Sequence, residues 1–356
     1  MKFSLFFEVQ IAGPTPEKER QAFHDCVAQA VLADELGYHG IWAVEHHGLY
    51  EYAHSSAPEV FLAFVAARTK RIRIGHGVTL TPFRYNHPIR IAERVATLDI
   101  LSGGRVNWGS GKSSSLVEQV AFENDIPALH AQWLEALEMI PRMWQEPVFE
   151  HKGKYYKVAP IQVVPKPVQQ PHPPMFAACS KPESAVAVGA LGLGALNFAI
   201  GNDQYLEQKI ANYRKAVAGA APKHYQKNDH FAVTPAALVL PDDRKACEHG
   251  FRGARFFSES LSAYYFSGRR PVGPLDVPRD FLPEGELEEI RRFRNGPDSP
   301  LLAVIGDPSA ACEAVARFRE AGVDEIILVM QMGTVPHELI LQSIRTFAEQ
   351  VMPRFV

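Results

Sequence analysis

The sequence predicts an α/β chain folded as a (β/α)8 TIM barrel with insertions. Three observations carry this: about eight short apolar strands, an amphipathic helix after most of them, and a length of 356 residues that suits such a barrel with additions. An open, doubly wound sheet is the alternative architecture.

Taken in order, Phe3 to Phe7 reads as the first strand. A helix follows from about Glu17 to Leu36, with Ala30, Ala33 and Leu36 at helical spacing and Gly37 as its stop. Gly40 to Val44 is the second strand, and Pro58 to Ala67 is a helix that opens on proline. Ile72 to Leu80 is a β-branched strand ending before Pro82. His87 to Leu101 reads as helix, Val106 to Gly109 as strand, and Leu129 to Trp144 as a long helix with Leu134, Leu137 and Ile140 on its apolar face. Phe149 to Val158, with Gly153 near its middle, reads as a hairpin added to the main fold. Prolines 165, 167, 171, 173 and 174 extend the chain into strand Met175 to Ala178. Helix Pro182 to Leu191, strand Ala195 to Ile200 and helix Asp203 to Ala218 resume the rhythm. Phe231 to Leu240 reads as one longer strand before a helix from Asp243 to Phe257 or beyond. Gly268 to Ser299 is rich in Arg, Pro and Gly and has little periodicity, which makes it a long lid-like excursion rather than a linker. Asp307, Pro308 and Ser309 open a helix over Ala310 to Glu320, Gly322 stops it, Glu325 to Met330 is a strand, and Pro336 to Val351 is the closing helix.

Composition narrows the function. With 37 Lys+Arg against 40 Asp+Glu the net charge is only -3, which offers no broad field to nucleic acid or anionic membrane. Small molecules or another protein chain are the expected partners. Cys26, Cys179, Cys247 and Cys312 are far apart and form no C-x-x-C, so neither a zinc ribbon nor a disulfide scaffold is expected, and a reducing, cytoplasmic setting is the simplest reading. The apolar run from Ala185 to Ile200 is broken by Gly189, Gly192, Gly194 and Asn197, so no membrane span is expected.

In a barrel, reactive residues lie just past the C-terminal ends of the strands. The second strand ends in Glu45, His46 and His47, residue types able to serve as metal ligands, as an acid/base site or as structural hydrogen-bonders. Zinc is disfavoured, because adjacent residues on an extended segment point in opposite directions. Gly75 and Gly77 within the third strand mark a bulge or a close backbone approach, by a helix or a flat ligand. Gly109, Ser110, Gly111, Lys112, Ser113, Ser114 and Ser115 form a run of small donors with one cation, the chemistry of a phosphate cradle. A second anion site is suggested where Cys179, Ser180, Lys181, Pro182, Glu183 and Ser184 open a helix; Cys179 reads as a buried small residue rather than a nucleophile. The aromatics Phe83, Tyr85, Phe256, Phe257, Tyr264, Tyr265 and Phe266 are candidates for an apolar substrate pocket, with the core as their alternative place.

Trp42-Ala43-Val44-Glu45-His46-His47, Ala66 to Thr69 with Arg71 to Gly75, His87-Pro88-Ile89-Arg90 with Ala92-Glu93, and Leu98-Asp99 before Leu101-Ser102-Gly103-Gly104-Arg105 together resemble the bacterial luciferase-like monooxygenase family. Pro174 to Ser184, Gly306 to Gly322 and Phe347 to Pro353 follow in the expected order, so the resemblance covers nearly the whole chain as a single domain, residues 1–356.

The resemblance implies a reduced flavin, FMN supplied by a separate flavin reductase, with O2 as co-substrate. The implied reaction is monooxygenation of a small organic substrate, apolar or aromatic-containing, through a C4a-peroxyflavin. It further implies His46 and His47 as the catalytic residues and a non-proline cis peptide at Gly77-Val78 against the flavin ring. Lys112, Ser180 and Ser184 would hold the phosphate, with His130 or Gln132 standing where relatives commonly carry an arginine. Homodimerisation through helices of the early barrel units is implied as well. The alternatives are a deazaflavin-dependent hydride-transfer enzyme of the same fold and a noncatalytic barrel subunit; a metal-dependent hydrolase would need more ligands at strand ends than Asp99 and Glu325 supply.

Overall fold

The first strand sits between the second strand and the last, and that pairing closes the sheet. In the computed structural model, which describes residues 1–179, 183–199, 201–296, 299 and 303–355, the elements in chain order are β1 (Lys2–Phe7), α1 (Pro16–Glu35), β2 (Gly40–Ala43), α2 (Pro58–Arg68), β3 (Arg73–Leu80), α3 (Pro88–Ser102), β4 (Val106–Gly111), α4 (Leu116–Ala121) and α5 (Leu129–Gln145). They continue with β5 (Phe149–Lys152), β6 (Lys157–Ile161), β7 (Met175–Cys179), α6 (Ser184–Ala190), β8 (Gly194–Phe198), α7 (Asp203–Gly219), β9 (Phe231–Thr234), β10 (Ala236–Val239) and α8 (Asp243–Tyr265). The last are α9 (Glu284–Phe293), β11 (Ala303–Gly306), α10 (Pro308–Glu320), β12 (Glu325–Leu328) and α11 (His337–Gln350).

The barrel runs β1-β12-β9-β8-β7-β4-β3-β2, with every neighbouring pair parallel. Ser4 pairs with Gly40 on one side and Ile327 on the other. The barrel interior is filled rather than hollow, and glycines make room for its largest side chain. A Cβ on Gly75 would fall 2.5 Å from the Trp42 indole. Trp42 itself is fixed from below, because its Nε1 donates to Glu325 Oε1 at 2.9 Å while Glu325 also receives Ser4 Oγ at 2.6 Å. The helices bury one stripe each, as Ile91, Val95 and Leu98 do on α3, and several of them carry caps. Thr15 caps α1, Asn202 caps α7, Asp242 caps α8, Asp307 caps α10, and Gly103 closes α3 at φ 70°.

All eight strands expected of the barrel are in it. The differences lie outside its wall. The long strand expected over Phe231 to Leu240 divides at Pro235, which has no N–H for a ladder; β9 stays in the barrel, and β10 turns out to pair with β11. The excursion contains α9, whose sequence is charged nearly all round. Its Leu287 packs with Cys247 and Ile305 in a small satellite core. α4 was not expected, since six residues are too few to show a period. Among the described residues no helix is long and apolar enough to cross a membrane.

Candidate active site

All eight barrel strands contribute to one cavity of about 230 Å³ at their C-terminal ends. Phe6, Trp42, Val44, Val78, Leu80, Leu196, Phe198 and Ile327 make most of its wall apolar. The Gly77-Val78 peptide is cis, as the resemblance implied, and lies within β3, where the pairing with β4 shifts register between His76 and Thr79. Gly111 has no side chain because Val78 occupies that space: a Cβ there would sit 2.5 Å from Val78 Cγ2.

His46 lines the cavity, its side chain only 11% exposed. Three carboxylates surround it. Glu118 Oε1 is 2.8 Å from Nδ1 and Glu8 Oε2 is 3.8 Å from Nε2, with Glu45 next in sequence. Burial opposes a charged imidazole, but attraction from Glu118 and Glu8, the Glu118 hydrogen bond and Glu45 together outweigh it, and the pKa rises to about 9. With both nitrogens protonated, Nδ1 donates to Glu118 and Nε2 donates to the Tyr265 hydroxyl oxygen at 3.0 Å. Burial pushes Glu8 up to about 7 against the pull of His46 and Tyr52, and lifts Tyr265 well above 10. Glu118 is held below its ordinary range: burial works against its charge, while His46, Ser113 and the His47 N–H favour it.

Glu118 reaches this position through α4. Ser115 caps the helix by accepting from Val117 N at 3.3 Å, and Ser113, at φ 67°, donates to Glu118 Oε2 at 2.6 Å. Part of the serine run thus buttresses the histidine's partner. Lys112, Ser114, His130 and Ser184 also line the cavity.

Of the expected site residues, His46, Gly77, Val78, Lys112, His130 and Ser184 share this cavity. His47 does not line it. Its ring packs instead 4.8 Å from the Phe122 ring, with Nε2 3.3 Å from Glu45 Oε1. Ser180 lies outside the described residues. Of His130 and Gln132 only His130 lines the cavity; Gln132 Oε1 accepts from Phe83 N at 3.2 Å. Of the seven candidate pocket aromatics only Tyr265 lines the cavity; Phe256, Phe257 and Tyr264 belong to the core, Tyr85 packs against His47 and Phe122, and Phe83 and Phe266 are exposed. No described residue of the excursion lines the cavity either. Cys179 does, with its thiol pushed up to about 12 by burial, which suits a wall rather than a nucleophile. Asp99 is used structurally, accepting from Val168 N, Gln169 N and the Gln169 side chain. Among the described residues, no group of three or more His, Cys, Asp or Glu is placed to hold a metal.

The residues missed by sequence reasoning are Glu8 and Glu118. Glu8 left one signal, a carboxylate breaking the apolar run at the end of the first strand; Glu118 left none.

A flavin fits this lining on its donor set. The wall is mainly apolar, Lys112, Ser114, Ser184 and His130 suit a phosphate, and the buried Asn197 Oδ1, without a hydrogen-bond partner, suits a ring N–H.

The family model described as luciferase-like monooxygenase matches residues 1–325. The oxygenase component of a flavin-dependent trigonelline monooxygenase from Acinetobacter baylyi is 30% identical over 52% of this chain and 50% of its own length, so this chain spans about half of that relative. An F420-dependent glucose-6-phosphate dehydrogenase from Amycolatopsis mediterranei is 27% identical over 85% of this chain and 87% of its own. Among solved structures, the monooxygenase RslO1 from Streptomyces bottropensis superposes with a TM-score of 0.83 at 27% identity, covering 100% of both chains. Its relatives thus include both flavin monooxygenases and F420-dependent oxidoreductases, and the chain belongs to the luciferase-like monooxygenase family.

Proposed function

We propose that this chain is the oxygenase component of a two-component monooxygenase that takes reduced FMN from a separate reductase and uses O2 to oxygenate a small organic substrate. The observation that carries the reading is a largely apolar barrel-mouth cavity lined by both a proton-bearing imidazole and a phosphate-type donor set. Bound reduced flavin supplies the two electrons that let one oxygen atom enter the substrate while the other leaves as water.

The chain's own residues do the rest. Lys112, Ser114, Ser184 and His130 bind the phosphate; Gly77 and Val78 form the surface against which the flat ring packs. Phe6, Trp42, Leu196 and Phe198 exclude water. His46 holds a proton at Nε2 and donates it to the departing oxygen, while Glu118 keeps it charged. Lys112 is the only Lys or Arg among the described residues of the lining, which matches one phosphate better than a long polyanionic tail and favours FMN over the deazaflavin of the F420-dependent relatives. The four unpaired cysteines suit a reducing, cytoplasmic setting. Two copies pair through the outer faces of α2 and α3, where Val60 (66%), Phe64 (50%) and Leu101 (70%) are exposed.

The test is anaerobic titration with reduced FMN and, separately, reduced deazaflavin, followed by mixing with air and near-ultraviolet spectroscopy. Tight FMN binding and a transient oxygen-dependent band are expected. Binding of deazaflavin alone, with no oxygen-dependent signal, would move the protein to hydride transfer.

A further inference from the structure

We propose that Glu8 anchors the substrate: its Oε2 accepts a hydrogen bond from an N–H or O–H of the substrate, which is therefore a small compound with a donor head on an apolar body. The proposal rests on the reading of this cavity as the oxygenation chamber.

Glu8 follows β1 directly, is 1% exposed and lies on the cavity wall. Its two oxygens are used unequally. Oε1 accepts from the Tyr52 hydroxyl at 2.7 Å, whereas Oε2 has no hydrogen-bond partner and stands 3.8 Å from His46 Nε2. The neighbouring carboxylates are satisfied on both oxygens. Glu118 receives His46, the His47 N–H and Ser113; Glu45 receives the Leu80 N–H, Asn86 and His47. Glu8 Oε2 is therefore the carboxylate oxygen that the described cavity wall leaves without a hydrogen bond. A buried acceptor without a donor is costly, and a ligand that brings a donor removes that cost upon binding.

The charges around it refine the class. Glu8, Glu45 and Glu118 face one imidazolium, and burial already holds Glu8 up at about 7. A donor that carries positive charge, a protonated amine above all, gains Coulomb attraction here, while carboxylate and sulfonate heads are repelled. The apolar lining of the same cavity, which includes Phe6, Trp42, Val44 and Ile327, takes the apolar body.

The full chain is titrated calorimetrically at about pH 8, above the Glu8 pKa, with probes that share an aromatic body. Benzylammonium offers donors only, acetophenone an acceptor only, and toluene neither. Benzylammonium is expected to bind at least about tenfold more tightly than the other two. In Glu8→Gln the Tyr52 hydroxyl retains the amide oxygen, so the amide N–H2 takes the position of Oε2 and the preference inverts toward acetophenone, with toluene unchanged. Circular dichroism checks that the variant folds; if it does not, the ranking of the probes on the wild-type chain still decides. Equal affinities, absence of benzylammonium binding, or a benzylammonium preference that survives Glu8→Gln overturns the assignment. No flavin enters this titration, so its failure is distinguishable from failure to bind reduced FMN.

Discussion

His46 owes its proton to three carboxylates from different parts of the chain, and its chemistry is set by them more than by its own segment. Glu118→Gln removes the strongest of the attractions that keep the imidazole charged. The alkaline limb of the pH–rate profile, expected near 9 in the wild type, should move acidward by about one unit or more in that variant, with little change in flavin affinity. Stability carries the same signature. The folded imidazole keeps its proton up to about 9 against an ordinary value of 6.5, so its contribution is fully present below about 6.5 and is lost as pH rises through 9. Thermal unfolding midpoints should fall across that window, and His46→Gln should flatten the slope; an unchanged slope would show that the imidazole is not charged in the folded chain. Elsewhere on the cavity wall, Lys112→Ala should weaken reduced-FMN binding by roughly 10- to 100-fold, the worth of a charge-assisted contact, and leave riboflavin binding unchanged. Comparable losses for both ligands would place Lys112 away from the phosphate.

At the scale of elements, two segments with weak sequence signals turn out to matter most. α4 is one: six residues hold Glu118 under His46, and Ser115 and Ser113 fix its start. The excursion is the other. Glu51 is fully buried and gathers the Gly13 N–H at 2.7 Å, the Leu275 N–H at 2.6 Å and the Arg279 guanidinium at 2.8 Å, which pins the excursion to the barrel rim. Glu51 is adjacent to Tyr52, whose hydroxyl holds Glu8, so the pin and the site share one turn of chain. Glu51→Ala should leave the buried Leu275 N–H and the exposed Gly13 N–H without their acceptor, cost about 1–3 kcal/mol, and open the stretch from Gly268 to Leu282 to limited proteolysis. Equal cleavage of variant and wild type would show that Glu51 does not restrain it. The hairpin β5–β6 and the pair β10–β11 are additions that leave the barrel register untouched.

For the whole molecule, pairing of two copies through α2 and α3 predicts that Phe64→Glu combined with Leu101→Glu yields a monomer in analytical ultracentrifugation with unaltered circular dichroism; a wild-type chain that sediments as a monomer would remove the proposal. The barrel was legible from residue order alone. Strand and helix periods are local properties, and a run such as Ile72 to Leu80 or Leu129 to Trp144 shows its period without its neighbours. The histidine, the cis peptide position and Lys112 were legible as well, because each sits at a strand end or within a motif that carries the family resemblance. Sequence by itself therefore determined the architecture, the family and part of the cavity lining. Tertiary structure alone decided that His47 turns away while His46 turns in, that His130 rather than Gln132 faces the cavity, and that Glu8, Glu118 and Tyr265, separated by up to 257 residues, meet around one imidazole. The physical reason is that closure of a parallel sheet gathers the C-terminal ends of distant strands at one mouth, and the field that fixes a proton there is a sum over groups that no local pattern contains.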